Sequence, residues 1–488
     1  MRIASAFRMT AFVLWGATAI GLGLGAGGCG SGGSSKGCDP VAQTGCDAGL
    51  TCAETTDGKD ACFAPLLVRG MVTDLTTGGA VAGARVVALD ANGSPASTVA
   101  TTDSVGNYEL NVDAVRNSDG TPAGNITLRA DAAGYQTFPG GVRQALPIDV
   151  SHPTESALVL VVQSSLTNVG LLPLEAGAGT GAIHGKVEVP KDQAGVLVVA
   201  ELGPTQGFSA IADRNGDYKI FNLSAGSYSV NGYAHGSNYD AGAATLAAGE
   251  DKEVDLSLNS QATASLSGNV QIVNPGAGNA TSVILVVEST FNEALVRGEN
   301  PPGLRAPDGG IAPDITGAFT ITGIPSGRYV VLAAFEDDFL VRDPDTCIAG
   351  TSILHQAFAS GDTVDLTDGF KITGSLDVIA PGASGPEAVS SATPTFTWKD
   401  DSSEDHYHLI VLDSFGNTVW DTVIPGSSGS NPVVAYNADG TGAGTGAALQ
   451  SGQFYQFRVV STKTTGGGGG STCELSQTED LKGVFSVP

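Results

Sequence analysis

The chain has 488 residues, which at about 150 residues per domain makes roughly three domains, or four if they are small β-domains. Gly fills 68 positions, about twice its ordinary share, and 23 Lys and Arg face 50 Asp and Glu for a formal charge of −27. That balance argues against nucleic acid or an anionic bilayer surface as a direct partner, because little cationic surface is left to neutralise phosphates. Hydrophobic residues make up 41% and arrive as short β-branched strings between Gly, Asn and Asp. This is the pattern of many short strands joined by turns, so the predicted fold class is all-β, with tandem β-sandwich domains behind a signal peptide and a small disulfide-rich segment.

Arg2 and Arg8 precede an apolar run from Ala11 to Ile20, which continues through small residues to Ala26-Gly27-Gly28-Cys29. The run reads as a secretory signal peptide, too short and Gly-rich for a membrane span. Its end resembles a bacterial lipobox, with Ala26 where Leu is usual. The resemblance implies that Cys29 is lipidated and becomes the new N-terminus, anchored through membrane lipid in the bacterial cell envelope at the outer membrane. Removing two Arg would leave 21 − 50 = −29. Each buried acyl CH₂ contributes about 0.8 kcal/mol, so several chains hold a soluble body firmly. Ordinary secretion, with Cys29 as a stray thiol, is the alternative. The Gly- and Ser-rich stretch to Gly37 has nothing to bury and is predicted to be a flexible tether.

Cys38, Cys46, Cys52 and Cys62 follow within 25 residues. So small a segment cannot build an apolar core, and in an oxidising compartment two disulfides are expected, with three pairings open. Zinc is the rival, but the gaps of eight, six and ten residues lack the usual C-x₂₋₄-C pairs. Cys347 and Cys473, 126 positions apart, can pair only if the third and fourth domains touch.

The body is a repeat. Asp103, Gly106, Tyr108 and Leu110 recur as Asp213, Gly216, Tyr218 and Ile220, and again as Asp314, Gly317, Phe319 and Ile321. The shared spacing predicts a hairpin: Asp caps backbone N–H groups, Gly supplies a positive φ, and the aromatic and aliphatic two apart face one core. The Asp residues lie 110 and then 101 positions apart, which indicates three domains of one design. The second and third copies continue alike, Phe221-Asn222-Leu223 through Tyr228 paralleling Thr322-Gly323-Ile324 through Tyr329.

Val68-Arg69-Gly70-Met71-Val72, Gly79 to Val86, Asp103 to Leu110 and Ala133-Gly134-Tyr135 together resemble the carboxypeptidase regulatory-like domain. The second copy opens at Ile183-His184-Gly185. The third opens at Leu266-Ser267-Gly268 and carries a Pro- and Gly-rich insertion around residues 291–313. The resemblance implies a transthyretin-like β-sandwich, used as an accessory, structural or carbohydrate-adjacent module with no catalytic residues of its own. The last segment is similar to a fibronectin type III-like domain: Thr395-Phe396-Thr397-Trp398 leads to alternating Tyr407, Leu409 and Val411, then Tyr455, Phe457 and Val459. The expected organisation is a signal peptide over 1–28, a tether over 29–37, a disulfide-rich segment over 38–65, sandwiches over 66–165, 180–260 and 264–380, and the fibronectin-like domain over 386–488.

The six His are scattered, and only His406 and His408 lie close; beside Glu404 and Asp405 they suggest a weak metal site, against the plainer reading of exposed residues opposite the Tyr407 face. Asp213 to Asp217 has oxygens like a calcium loop, but Gly216 falls at position four rather than six, which favours turn chemistry. Weak calcium binding is weighed at Glu336-Asp337-Asp338, at Asp343 with Asp345, and at Asp400-Asp401 with Glu404-Asp405, where solvated loops are the alternative. No other cofactor is expected. Tyr135 with Phe138, Tyr233 with Tyr239, and Phe335 with Phe339 are the aromatics near strand ends that a sugar platform would use, and core packing is their bland reading. No H-E-x-x-H, G-x-S-x-G or Walker run occurs. The sequence therefore reads as a non-catalytic envelope lipoprotein whose sandwiches form a stalk or adhesion array, with envelope or extracellular protein or glycan as partner. A polysaccharide-binding protein is the second reading and an envelope enzyme the third.

Overall fold

The computed structural model describes residues 37–488 apart from 41, 91–92, 157, 176, 178, 191–194, 274–280, 308–314, 316, 335–352, 368, 402, 428, 439–447 and 465–471. Cys29, Cys347, Asp314, the acidic clusters at 336–338 and 343–345, and Phe335 with Phe339 lie outside the described residues. Among those described the chain is strands, with two single-turn 3₁₀ helices and no helix long and apolar enough to cross a membrane.

Three sandwiches share one plan. A leading strand, Leu66–Asp74, Gly181–Lys186 or Ala264–Val273, pairs antiparallel with the strand that follows the Asp turn, Asn107–Val112, Asp217–Leu223 or Ala318–Ile324. Its other edge pairs parallel with strands from the end of the same sandwich, such as Val159–Val162, Asp251–Glu253 and Thr363–Asp365. The facing sheet is built on Arg85–Leu89, Val196–Glu201 or Ser282–Val287, antiparallel to Asn125–Asp131, Gly226–Tyr233 or Gly327–Ala334. Alternation drives the first sheet: in Asn107–Val112 every second residue is buried, so Tyr108, Leu110 and Val112 face the core.

The central strand of the facing sheet does not alternate. Val196–Glu201 is buried at its first five positions and Ser282–Val287 at all six. Both faces are covered, in the second sandwich because sandwiches pack against one another and in the third by residues of its own insertion. Val86 and Ala88 enter the first core, whereas Val87 and Leu89 on the opposite face join Leu197, Val199 and Ile211 of the second sandwich in a cluster continuous with the third core. Each such Val or Leu taken from water contributes roughly 1.5–3 kcal/mol, a drive for assembly comparable to that of a domain core. In the third sandwich the equivalent outer face, Ile284, Val286, Val330 and Leu332, is covered by Phe291, Val296 and Ile353. The insertion anticipated near residue 291 therefore begins as a cap over an apolar sheet.

The fourth sandwich sets Val378–Ala380, Thr395–Trp398 and Val433–Ala435 against a larger sheet centred on His406–Asp413 and Phe454–Thr464. Phe396 is the hub of its core, with ring centroids 4.9 Å from Phe457 and 5.6 Å from Phe485. Leu376 and Val378 belong to this core, so the boundary falls before residue 376 rather than at 380. The first sandwich likewise runs past 165, since Val169–Leu171 pairs with Val72 to Asp74. Leu412 and Val484 of the fourth sandwich enter the first core, and the Phe454 N–H donates to Ser165 Oγ at 3.1 Å.

Cys38 bonds Cys52 and Cys46 bonds Cys62 around the hairpin Thr51–Glu54 and Asp60–Phe63. Arg116 fastens this knot to the first sandwich. Its N–H donates to Glu54 O at 2.8 Å, its carbonyl accepts from Thr56 N–H at 2.8 Å, and its guanidinium lies 5.8 Å from the Phe63 ring centroid. Burial pushes that guanidinium down to about 10. Cys473 is disulfide-bonded. Residues 37–488 thus form one compact unit in which the first sandwich touches the knot and all three other sandwiches.

Candidate functional site

The repeat signature marks the tightest local geometry. Asp103 Oδ1 accepts from the N–H groups of Val105 and Asn107 at 2.9 Å, and Asp213 Oδ1 accepts from Asn215 N–H at 2.9 Å. Gly106 and Gly216 have φ of 82° and 79°, and their carbonyls accept from Val72 and Val187 on the leading strands; Gly317 does the same for Val270. These turns are structural devices, and Asp213 Oδ2 is taken up by Val99 N–H at 3.1 Å, which ties the second sandwich to the first. A further Asp-x-x-Gly hairpin, Asp413 to Gly416, escapes the signature because Thr418 stands where the aromatic would be.

The other candidates disperse. His406 is exposed and His408 Nε2 lies 3.0 Å from Asp421 Oδ2, on the face opposite buried Tyr407. Asp400 accepts from the hydroxyls of Tyr407 and Ser427 and from Gly429 N–H, Asp401 from Ser403 and Ser461, and Asp405 from Thr464 N–H. Glu404 Oε1 accepts from Ser427 N–H, and its Oε2 is buried without a partner among the described residues. Burial, with Asp400 and Asp401 nearby, raises the Glu404 carboxyl above its ordinary value. Phe138 and Tyr233 are core residues, while Tyr135 and Tyr239 stay half-buried.

The feature that gathers most polar chemistry is a cleft of about 660 Å³ where the first three sandwiches meet. Its floor is Arg129, which is buried. Arg129 Nε donates to Asp131 Oδ2 at 3.0 Å, Nη1 to Glu299 Oε2 at 2.6 Å and Nη2 to Ser209 Oγ at 3.1 Å. Ser209 Oγ in turn donates to Glu299 Oε1 at 2.7 Å, so one network joins all three sandwiches. Burial opposes the guanidinium charge, but Asp131 and Glu299 outweigh it and hold the group above its ordinary value.

One wall carries a clasp. Asn222, in left-handed backbone with φ of 66°, accepts from Gly134 N–H at 2.6 Å and donates to the carbonyls of Ala132 at 3.1 Å and Tyr135 at 2.9 Å. Gly323 occupies the same place in the third sandwich with φ of 64°, and its carbonyl accepts from Gly236 N–H of the second at 2.7 Å. The Tyr135 hydroxyl donates to Asp74 Oδ2 at 3.1 Å. Together with the Thr76 hydroxyl and the Thr76 and Thr77 N–H groups, it brings the Asp74 carboxyl down to about 2, the Thr76 hydroxyl contributing most. Half-buried Tyr135, Phe208 and Phe221 line the cleft with Gln136 and Gln206.

No protein-family model matches the chain, and no curated protein matches it. Among solved structures, a DUF3823 family protein from Bacteroides uniformis ATCC 8492 is similar at 15% identity over 46% of this chain and 100% of that one, with a TM-score of 0.22. GBS52, the minor pilin of Streptococcus agalactiae, is similar at 14% identity over 41% and 98% of the two chains, with a TM-score of 0.17. BcpA*(D312A), the major pilin subunit of Bacillus cereus, matches at 11% identity over 63% and 99%, with a TM-score of 0.17. The assignment of tandem β-sandwiches stands on the strand pairing described above.

Proposed function

We propose that the protein is a non-catalytic, lipid-anchored protein of the bacterial cell envelope that serves as a rigid structural or adhesive body, with extracellular protein or glycan as partner. The observation that carries this reading is the bracing of the sandwiches. Asn222 and the Arg129 network cross domain boundaries with polar groups that are bonded on both sides. A body fixed in this way loses little conformational entropy on contact with a partner, which suits adhesion. The lipobox-like junction at Cys29, the Gly- and Ser-rich tether and the disulfide knot behind it support attachment to a membrane in an oxidising compartment. The resemblance to carboxypeptidase regulatory-like and fibronectin type III-like modules agrees with an accessory rather than a chemical role.

The test is the intact mass of the protein purified from envelope membranes, with and without reduction and alkylation, beside protease shaving of whole cells. The expected result is a chain beginning at Cys29 with acyl chains and intact disulfides, cut by external protease. An unlipidated chain cleaved elsewhere and released to the medium overturns the anchored reading.

A further inference from the structure

We infer that the cleft between the first three sandwiches is a binding site for a neutral oligosaccharide segment. Its volume, 660 Å³, lies within the roughly 300–1,000 Å³ of small-ligand sites. The inference names the partner chemistry for the surface-body reading, and rests on that reading only for where such a ligand would come from.

Charge narrows the ligand class. The molecule carries −27 overall, yet among the described residues the charged ones lining the cleft are Arg129, Asp131, Arg297 and Glu299, so that 2 − 2 = 0. Arg129 is consumed by Asp131, Glu299 and Ser209, and Arg297 Nη1 by the carbonyls of Gly141 and Arg143 at 3.2 and 3.0 Å. An anionic ligand would find its cations engaged, and a cationic one would find both carboxylates already accepting, Asp131 from Arg129 and the Thr137 hydroxyl and Glu299 from Arg129 and the Ser209 hydroxyl.

The lining outside that charged network suits hydroxyls and sugar faces. Tyr135, Phe208 and Phe221 are half-buried rings of the lining, held by the first core, by Tyr228 and by Lys219 respectively, and such rings offer apolar faces of defined orientation. The side-chain amides of Gln136 and Gln206 make no hydrogen bond among the described residues, and each supplies two donors and an acceptor. An extended peptide would need the edge strand Gly207–Ala212, but there the Ser209 carbonyl already accepts from Arg129 and the Ser209 hydroxyl is bound to Glu299. The Asn222 clasp fixes the wall, so the site is formed before a ligand arrives.

The experiment is a glycan array of short neutral and acidic oligosaccharides probed with the full chain as purified, followed by calorimetric titration of the strongest neutral binder. Phe221→Ala and Gln136→Ala are each expected to weaken binding about tenfold with an unchanged melting temperature. Gln163→Ala, on an exposed position away from this cleft, is expected to leave it unchanged. Absence of any neutral binder, indifference of binding to both cleft variants, or preference for acidic sugars or for extended peptides overturns the inference. Because the titration needs no membrane, its failure is distinct from failure of the anchored reading, which the intact mass decides.

Discussion

Tyr108 stands directly across from Gly70 on the leading strand of the first sandwich, and its hydroxyl reaches past that glycine to donate to Thr167 O. Tyr218 faces Gly185 and Phe319 faces Gly268 in the same register. A Cβ built on Gly70 would come 2.7 Å from the Tyr108 oxygen and 1.9 Å from Thr167 O, and one on Gly268 would come 2.7 Å from Phe319 Cζ. The glycine of each leading strand thus makes room for what crosses it: the Thr167 carbonyl with the Tyr108 hydroxyl in the first sandwich, the Val254 carbonyl in the second and the Phe319 ring in the third. Tyr218 bonds that same carbonyl.

Gly70→Ala is therefore expected to destabilise the first sandwich by about 3 kcal/mol, at the upper end of overpacking costs, because the nearest obstacle is backbone. Gly83→Ala, in the same sandwich, where a Cβ meets nothing within 4 Å but φ is 74°, isolates the backbone cost alone and is expected to fall at about 1–2 kcal/mol. Chemical denaturation of the two variants makes the comparison; equal losses would remove the steric explanation.

Asn222→Ala loses three hydrogen bonds between sandwiches and strains a left-handed residue, with an expected cost of roughly 2–4 kcal/mol. Asn222→Gly keeps the backbone and loses the bonds, so it should cost less. Hydrogen exchange at Gly134 reads the clasp directly: its N–H should lose protection in both variants, and unchanged protection would show that the clasp contributes nothing.

Glu404 supplies a pH dependence. Its carboxyl is raised by burial and by Asp400 and Asp401. The folded state therefore binds its proton more tightly than the unfolded chain does, and this contribution to stability is fully present below the unfolded value near 4.3 and lost as pH rises through the raised folded value. Glu404→Gln keeps Oε1 for Ser427 N–H and removes the buried charge, so it should raise the melting temperature at pH 7 and have little effect at pH 4. A lower melting temperature at pH 7 would show that the carboxylate is needed charged.

Reduction of the knot should act locally. Its two loops of 14 and 16 residues each contribute roughly 3 kcal/mol by constraint of the unfolded chain, while every sandwich has its own core. Mild reductant is expected to expose residues 37–63 to protease and leave the main unfolding transition near its place. Collapse of that transition would mean that the first sandwich depends on the knot.

How far the sequence carried the fold follows from which interactions are local. The Asp-to-Gly turns are visible because capping oxygen, positive φ and core aromatic sit within eight positions, and the alternation around Tyr407 and Tyr455 gives the faces of the last sandwich. The packing of sandwich on sandwich had a trace as well: Val196-Leu197-Val198-Val199-Ala200 is an unbroken apolar run, the mark of a strand covered on both faces. The left-handed place of Asn222 was marked by its alignment with Gly323. The cleft left no such trace, because Arg129 and Glu299 are 170 positions apart and only tertiary packing brings them together. Val378–Ala380 went to the wrong neighbour since a short strand at a domain junction has no period to assign it.

Small-angle scattering on residues 37–488 tests the central claim, that the four sandwiches and the knot are one body with the first sandwich at its centre. A compact unit of this size has a radius of gyration of about 22 Å and a single-peaked distance distribution. That result is predicted, unchanged by moderate salt because the contacts are largely apolar or buried. A clearly larger radius with an extended, multi-peaked distribution would contradict the account, and with it the bracing and the cleft.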